Sequence, residues 1–522
     1  VHKQKLQDAI RGAQEIRFKL LGDPYRPGYH FAVPEGFGWP GDPNGTFYAN
    51  GRYHLMYLYR DHYTTAESYN WGHVSSHDLV HWRFHPDALD ASHGDNGAFS
   101  GGAFVDDDGT AYLSYSSLAT NLETMSGGGV GIAKSSDRHY DKWEKFEKLA
   151  LQATELGIIE IAGPAGEMLS AGCCDPSNIW KHDGVYYMQT GNLCVLGKLG
   201  RAADSPLEAR GDYTDLFRSA DLIDWEYAGR FYERDRSNKW TEESEDDMCP
   251  SFFPLPSSRH GGEPTAKYLQ LFISHNKGCQ YYIGDYRGER FLPERHGRMT
   301  WGDRAFLAPE ALMDAKGRQI MWAWLIDNPE EDLEKYGWSG VFSLPRTLWL
   351  GEDGDLRQAP VDELAALRYN AMEFPAASLR DEESLELTGM NGESSELKLT
   401  IAPGSSAKVG LKVRASADGK EETLLYYDPE AGELVFDSTR SGTAGMRIRE
   451  AAPFRLADGE KLELTVYIDK SVVELFANDR QAIARRVYPE RPDSTGVYLF
   501  CEGGAASFES ILAWEMMPSN PY

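Results

Sequence analysis

Short runs in which apolar and polar side chains alternate fill most of the chain between about residues 28 and 350. Tyr53–Tyr59, Ala111–Tyr115, Val185–Gln189, Tyr268–Ser274, Gln280–Tyr286 and Ile320–Leu325 are examples. A period of two marks strands with one buried face, and breaks such as Asp107-Asp108-Gly109, Asp183-Gly184 and Ala315-Lys316-Gly317 mark the turns between them. Strand, turn and strand at this spacing predict antiparallel sheets arranged as a barrel, sandwich or propeller. A weak internal echo favours the propeller: Ser75–Trp82 resembles Ser219–Trp225, with Ser135–Trp143 as a looser third copy. Radial stacking of similar sheets produces such repetition.

Alternation resumes at about residue 373, in Leu385–Leu387, Glu396–Ile401, Lys408–Val413, Thr423–Tyr427, Glu433–Phe436, Lys461–Ile468, Val472–Phe476 and Gly496–Phe500. This predicts a second domain, a β-sandwich. The first 22 residues carry a helical period, through Ile10, Ala13, Ile16, Leu20 and Leu21, which predicts a surface helix packed on the main body. The expected organisation is all-β apart from that short N-terminal helix. Residues 1–22 form the helix, 23–355 the first β domain, 356–372 a linker with a short helix, and 373–522 the sandwich.

Composition narrows the function. At 522 residues the chain has room for more than one domain. Its 13 Trp, 28 Tyr, 22 Phe and 52 Gly suit short strands and a sugar-binding surface. A net charge of −28 argues against nucleic acid or an anionic membrane as partner, since both require a basic face. No stretch is long and apolar enough to span a membrane. The six cysteines at 173, 174, 194, 249, 279 and 501 make no disulfide framework, and neither C-x-x-C nor H-E-x-x-H occurs. No metal or cofactor is therefore expected. Free thiols favour a cytoplasmic over a secreted setting, although Val1 in place of Met leaves room for a removed upstream segment.

Candidate chemistry is concentrated in Trp39-Pro40-Gly41-Asp42-Pro43-Asn44-Gly45. Asp42 precedes a Pro-Asn-Gly turn whose backbone angles are restricted, just before a strand. It reads either as a turn cap or as a carboxylate aimed for nucleophilic attack. Asp175, before Pro176, has a similar ambiguity.

Several separated segments resolve this reading together. Residues 39–45 are similar to the W-M-N-D-P-N-G motif of glycoside hydrolase family 32, the invertase, inulinase and levanase family. Trp71–Trp82 resembles its W-G-H and S-x-D-L-x-x-W segment, and Phe99-Ser100-Gly101-Gly102 resembles F-S-G-S. Cys174-Asp175-Pro176 stands where the family has R-D-P, and Met248-Cys249-Pro250-Ser251-Phe252-Phe253 where it has E-C-P-D-F-F. Leu344-Pro345-Arg346 and Gln358–Leu364 resemble the segments that close the catalytic domain, and Asp469–Asn478 resembles the D-x-S-x-x-E-V-F-x-N signature of the C-terminal sandwich. The resemblance implies a five-bladed β-propeller followed by a β-sandwich, and retaining hydrolysis of β-fructofuranosidic bonds. Two carboxyls about 5–5.5 Å apart would flank the scissile bond. It implies Asp42 as nucleophile and Asp175 as the carboxylate that holds sugar hydroxyls, with carbohydrate as the partner.

Three departures fall on sugar-contacting positions. The arginine before the third carboxylate is Cys174, a glutamine is replaced by Leu58, and the acid/base glutamate is Met248. A thioether donates no proton. Either the site is inactive and the chain only binds carbohydrate, or another carboxyl supplies the proton. Strand alternation points Asp246 in the same direction as Met248, while a bulge would bring in Asp247 or Glu245 instead. The changed residues also imply a fructoside other than sucrose, a difructose dianhydride or another furanoside, cleaved or transferred. Further expected sugar contacts are Trp39, Asn44, Trp71, Phe99, Ser100, Cys174, Met248, Cys249, Trp301 and Glu310, with Glu310 a fallback acid and the His275–Gln280 turn also near the site.

Overall fold

The structure, a computed structural model, describes residues 2–34, 38–61, 68–121, 127–163, 166–192, 211–233, 235, 237–242, 245–326 and 336–520. Cys194 and residues 243 and 244, just before Glu245, lie outside these. Two compact units divide the chain: Glu35–Glu363 with Asp479–Ala482, and Val1–Pro34 with Leu364–Asn478 and Ile483–Tyr522.

The first unit is a succession of antiparallel meanders. The first runs through Pro43–Ala49, Arg52–Asp61, Ser68–Ser76 and Trp82–Leu89. In the second, Asp95–Phe99 and Ala103–Val105 both pair with Ala111–Ala119, which continues to Gly129–Ser135. A single parallel bridge, Tyr69 to Gly97, joins these two meanders. The third begins with Cys174–Pro176 and Trp180–His182 and continues through Val185–Gly191, Tyr213–Ser219 and Trp225–Glu233. The fourth is Met248–Pro256, Pro264–Ser274, Gly278–Arg287 and Arg290–Arg298. The fifth is Phe306–Met313, Gln319–Leu325, Arg346–Leu350 and Leu356–Pro360.

Apolar faces press successive meanders together. Met56, Leu58, Trp71, Leu113 and Tyr115 fill the layer between the first and second, and Val130, Ile132, Ile179, Met188 and Phe217 that between the second and third. Phe231, Phe252, Phe272 and Phe291 belong to the layer between the third and fourth. Leading strands also meet. Pro43–Ala49 lies against Ala103–Val105 and Phe306–Met313, and Met248–Pro256 lies against Cys174–Pro176 and Phe306–Met313. Gly102 permits one such approach: a Cβ there would sit 2.2 Å from the backbone nitrogen of Asn178.

The echo seen in the sequence occupies one structural place. In the first three meanders it connects the third main strand to the next. Ser76, Ser135 and Ser219 each hydrogen-bond the aspartate two residues on, at 3.0, 3.0 and 3.1 Å. Asp78, Asp137 and Asp221 then accept backbone N–H groups of the turn, which closes it without help from neighbouring sheets.

Three features differ from expectation. Residues 356–360 are a strand of the fifth meander and 368–374 a strand of the second unit, so the expected linker 356–372 contracts to a short connection containing the 3₁₀ helix Asp362–Leu367. The helix His2–Leu21 leaves Leu6 61% and Phe18 83% exposed rather than packed. Its apolar residues are too sparse among Lys, Gln and Arg to make a continuous stripe. Residues 23–34 group with the second unit instead of opening the first.

That second unit holds a seven-stranded and a six-stranded antiparallel sheet. Its Asp469–Asn478 signature explains the placement of residues 25–30. The Asp469 carboxylate accepts the backbone N–H groups of Gly28, Tyr29 and His30 at 2.6, 2.8 and 2.8 Å, and the His30 ring at 3.0 Å. Glu474 lies 3.3 Å from the other nitrogen of that ring. Ser471 donates to the carbonyl of Tyr25 at 2.5 Å. Asp469→Ala would leave these buried donors without an acceptor. It is expected to destabilise the protein by roughly 3–5 kcal/mol, measurable as a lower urea midpoint.

Candidate active site

Asp42 sits just before the first strand of the first unit, in a turn with almost no slack. A Cβ on Gly41 would lie 2.7 Å from the Gly38 carbonyl and 2.8 Å from the Trp324 indole nitrogen. Trp39 packs edge-on against Trp324, with ring centroids 5.0 Å apart. Leu58 N–H donates to the Asp42 carbonyl at 2.9 Å, and the Asn44 side-chain amide reaches the same oxygen at 3.3 Å. Asn44 also accepts the Gly101 N–H, which ties the turn to the Phe99–Gly102 segment. From that segment the Ser100 hydroxyl donates to Asp42 Oδ2. Ser100 thus holds the carboxylate, while Asn44 ties down the backbone that carries it.

Asp175 reaches the site by a different device. Its φ of 41° places it in the left-handed region, at a register slip in the Cys174–Pro176 strand. Ser116 accepts the Asp175 N–H at 2.7 Å and donates to Oδ1 at 3.3 Å. Cys174 Sγ lies 3.6 Å from the same oxygen.

Cys249 joins the two. Its thiol donates to Asp175 Oδ2 at 3.3 Å and stands 4.0 Å from Asp42 Oδ2. The carboxylates expected from the sequence are therefore brought together, with Cys249 between them. Simple alternation does not describe this strand. Asp247 and Cys249 have φ of 44° and 49°, and the register slips between Met248 and Ser251. The bulge turns Cys249 to the carboxylates and buries Met248, whose Sδ lies 2.6 Å from where a Cβ on Gly191 would stand. Met248 is thus a packing residue.

The three acids before it are all buried but have separate partners. Asp246 accepts the Ser274 hydroxyl at 3.1 Å and the His275 N–H at 3.0 Å, and its other oxygen is 2.5 Å from His275 Nδ1. Both of its oxygens are thus taken by neighbouring groups. Asp247 accepts Tyr232 OH at 2.8 Å, while Glu245 binds the Glu242 N–H and the Gln280 amide and lies 3.6 Å from Arg298. His275, read from the sequence only as a turn near the site, is the group of this region whose ring is half-exposed.

Among the expected sugar contacts, Trp71 is fully buried and donates its indole N–H to Phe99 O at 3.2 Å, so it supports the floor and offers no stacking face. Trp301 is partly exposed, in the turn after the fourth meander. Glu310 is buried and accepts the Thr46 N–H at 3.3 Å. Phe99 and Cys174 line a cavity of about 480 Å³ together with Ser116, Ser117, Leu156 and Cys173.

Burial dominates the electrostatics. It pushes the Asp42 carboxyl up to about 7; the Ser100 hydrogen bond and the His275 charge oppose this rise, and the charge of Asp175 adds to it. Burial likewise raises Asp175, and raises Glu310 well above the carboxylate range. The Cys249 and Cys174 thiols are driven well above their ordinary values by burial and then by the Asp175 charge, so both stay protonated donors. Among the described residues, no group of three or more His, Cys, Asp or Glu is placed to hold a metal ion.

Comparison with known proteins agrees with this layout. Residues 30–360 match the glycosyl hydrolases family 32 N-terminal domain, and residues 363–515 the family 32 C-terminal domain. The sucrose-6-phosphate hydrolase of Zymomonas mobilis subsp. mobilis is 28% identical over 539 residues, covering 99% of this chain and 96% of that protein. The levanase of Bacillus subtilis is 29% identical over 520 residues, covering 94% and 70%. The crystal structure of fructan 1-exohydrolase IIa from Cichorium intybus superposes with a TM-score of 0.78 at 23% identity, over 95% of this chain and 98% of that one. The fold is accordingly a β-propeller followed by a β-sandwich. On both of its domains, the chain belongs to glycosyl hydrolase family 32.

Proposed function

We propose that this protein is a glycosidase that cleaves β-fructofuranosidic bonds by retaining double displacement, on a fructoside other than sucrose. The observation that carries the reading is the meeting of Asp42 and Asp175 at the Cys249 thiol. In this reading the five meanders are five propeller blades. The packing of each meander on the next, with the leading strand of the fifth against that of the first, supports that count. Asp42 Oδ attacks the anomeric carbon of the fructosyl unit and the bond to the leaving oxygen breaks, giving a fructosyl ester that water then hydrolyses. Asp175 holds ring hydroxyls and stabilises positive charge on the ring. The named activities of the relatives, on sucrose 6-phosphate, levan and fructan, support the substrate class.

Cys174 and Leu58 underlie the choice of substrate. A thiol and a buried leucine stand where the family resemblance leads one to expect an arginine and a glutamine, so hydrogen bonds to particular sugar hydroxyls are absent. The adjoining cavity, walled by Phe99, Leu118, Ala119 and Leu156, suits a larger or less polar leaving group than glucose. The same wall supports a second reading, in which the substrate is a difructose dianhydride or another furanoside.

Product analysis on sucrose, 1-kestose, inulin, levan, difructose dianhydrides and aryl furanosides tests this. Free fructose is expected from at least one fructoside, with sucrose among the poorer ones. Absence of turnover on every member would remove the glycosidase reading in favour of carbohydrate binding alone.

Asp42→Asn is expected to abolish turnover, with a loss of at least about 10³-fold. The same substitution should stabilise the fold in alkaline solution. A carboxyl whose folded pKa exceeds its unfolded value costs stability as pH rises from the unfolded pKa, 3.8, through about 7. The cost reaches about 4 kcal/mol at its limit. Thermal melts should therefore place Asp42→Asn above the native protein at pH 8 and near it at pH 4. Equal shifts at both values would contradict the raised pKa. Ionisation of Asp42 also predicts an acid limb in the rate profile, with activity rising as pH passes through about 7.

A further inference from the structure

We propose that His275 is the general acid and base of this site, and that Asp246 is the residue that positions it. The inference rests on the glycosidase reading above and supplies the proton donor that Met248 cannot.

His275 opens the turn between the second and third strands of the fourth meander, next to the start of the leading strand that carries Cys249. The turn is built tightly. Ser274 pairs with Gly278, whose φ is 75° and where a Cβ would lie 2.3 Å from Thr300 Cγ2. Asp246 then grips the histidine twice, through the backbone N–H with one oxygen and through Nδ1 with the other. Ser274 donates to the first oxygen as well, so the carboxylate cannot rotate freely. A carboxylate accepts only, so Nδ1 carries its proton toward Asp246 and the exchangeable position is Nε2. Among the described residues Nε2 has no hydrogen-bond partner, and the side chain is 47% exposed. A fixed tautomer with one free nitrogen is what general acid–base chemistry needs of an imidazole.

The ring also stands within electrostatic reach of the reacting pair. Asp42 and Asp175 both act on its charge, and it acts on theirs. Burial draws its pKa down, but the hydrogen bond and charge of Asp246, then the charges of Asp175 and Asp42, leave it raised above 6.5. Of the charges acting on the ring, those of these three carboxylates raise it.

The proton balance closes. In the first step Asp42 forms its bond to the anomeric carbon, the bond to the leaving oxygen breaks, and the proton on Nε2 passes to that oxygen. In the second, neutral Nε2 takes a proton from water as its oxygen attacks the same carbon, and the ester bond to Asp42 breaks. Imidazolium, carboxylate and enzyme are restored with one water consumed.

The test compares native protein, His275→Gln, Asp246→Asn and Glu310→Gln on the fructoside that the native protein cleaves best and on β-fructofuranosyl fluoride, whose leaving group needs no proton. For His275→Gln the expected result is a fall in kcat of about 10²–10⁴-fold on the fructoside. Formation of the fructosyl-enzyme from the fluoride should stay within about tenfold of native. Added azide should restore turnover of the fluoride by replacing the water that now lacks a base, and the alkaline limb of the rate profile should vanish. Asp246→Asn should move that limb to lower pH, a change a purely structural residue would not cause. The proposal is overturned if His275→Gln keeps native kcat and its alkaline limb, if it loses both substrates equally with its melting temperature unchanged, or if Glu310→Gln alone gives the leaving-group-dependent loss. Native turnover lost in Asp42→Asn but kept in His275→Gln would leave the glycosidase reading standing and remove only this one. No native turnover on any fructoside would remove both.

Discussion

Two carboxylates of like charge, Asp42 and Asp175, are held out of water around one thiol, and the rest of the site is arranged around that arrangement. Burial opposes their ionisation and each raises the other's cost, so they need donors at close range. Ser100, Ser116 and Cys249 supply these, two from strands and Ser100 from the bend after Asp95–Phe99. The donors in turn require backbone that ordinary strands do not provide. Asp175 and Cys249 both occupy left-handed conformations at register slips, each costing on the order of 1–3 kcal/mol. Large apolar layers between the meanders are what make such local strain tolerable.

Environment, rather than residue type, separates the acids of the run before Met248. Asp247 sits against Tyr232 and Asp212, and burial drives its pKa well up. Glu245 accepts the Gln280 amide and lies 3.6 Å from the Arg298 guanidinium. Asp246 alone gives both oxygens to a single exposed neighbour. Three carboxylates adjacent in sequence therefore meet three fates, because bulged backbone sends them into different layers.

Much of this was legible in the chain. The strands of Tyr53–Tyr59, Gln280–Tyr286 or Val472–Phe476 are plain from alternation and lie where expected. The Ser-x-Asp echo marks one repeated turn. Asp42 and Asp175, each ambiguous beside its proline, stood out through the resemblance of their segments to the family 32 motifs. Other features were hidden for physical reasons. Alternation assumes an unbroken pleat, so the slip at Met248 inverted the inward and outward residues there. Nothing local distinguishes Trp71 in the floor from Trp39 near the surface, since burial is decided by strands far away in sequence. The grip of Asp469 on residues 28–30 spans some 440 positions and leaves no periodic trace.

The same grip has a consequence for synthesis. The second unit is discontinuous: its first 34 residues are made before the whole of the first unit, and the residues that hold them come from positions 469–474. During translation the opening segment must therefore wait, unplaced, while more than 400 further residues emerge. The meanders, each built from neighbouring strands, can close in order as they leave the ribosome. The sandwich cannot be recovered as a contiguous fragment with all its contacts. A cut after residue 363 would separate it from the strand of chain that Asp469 was shaped to receive.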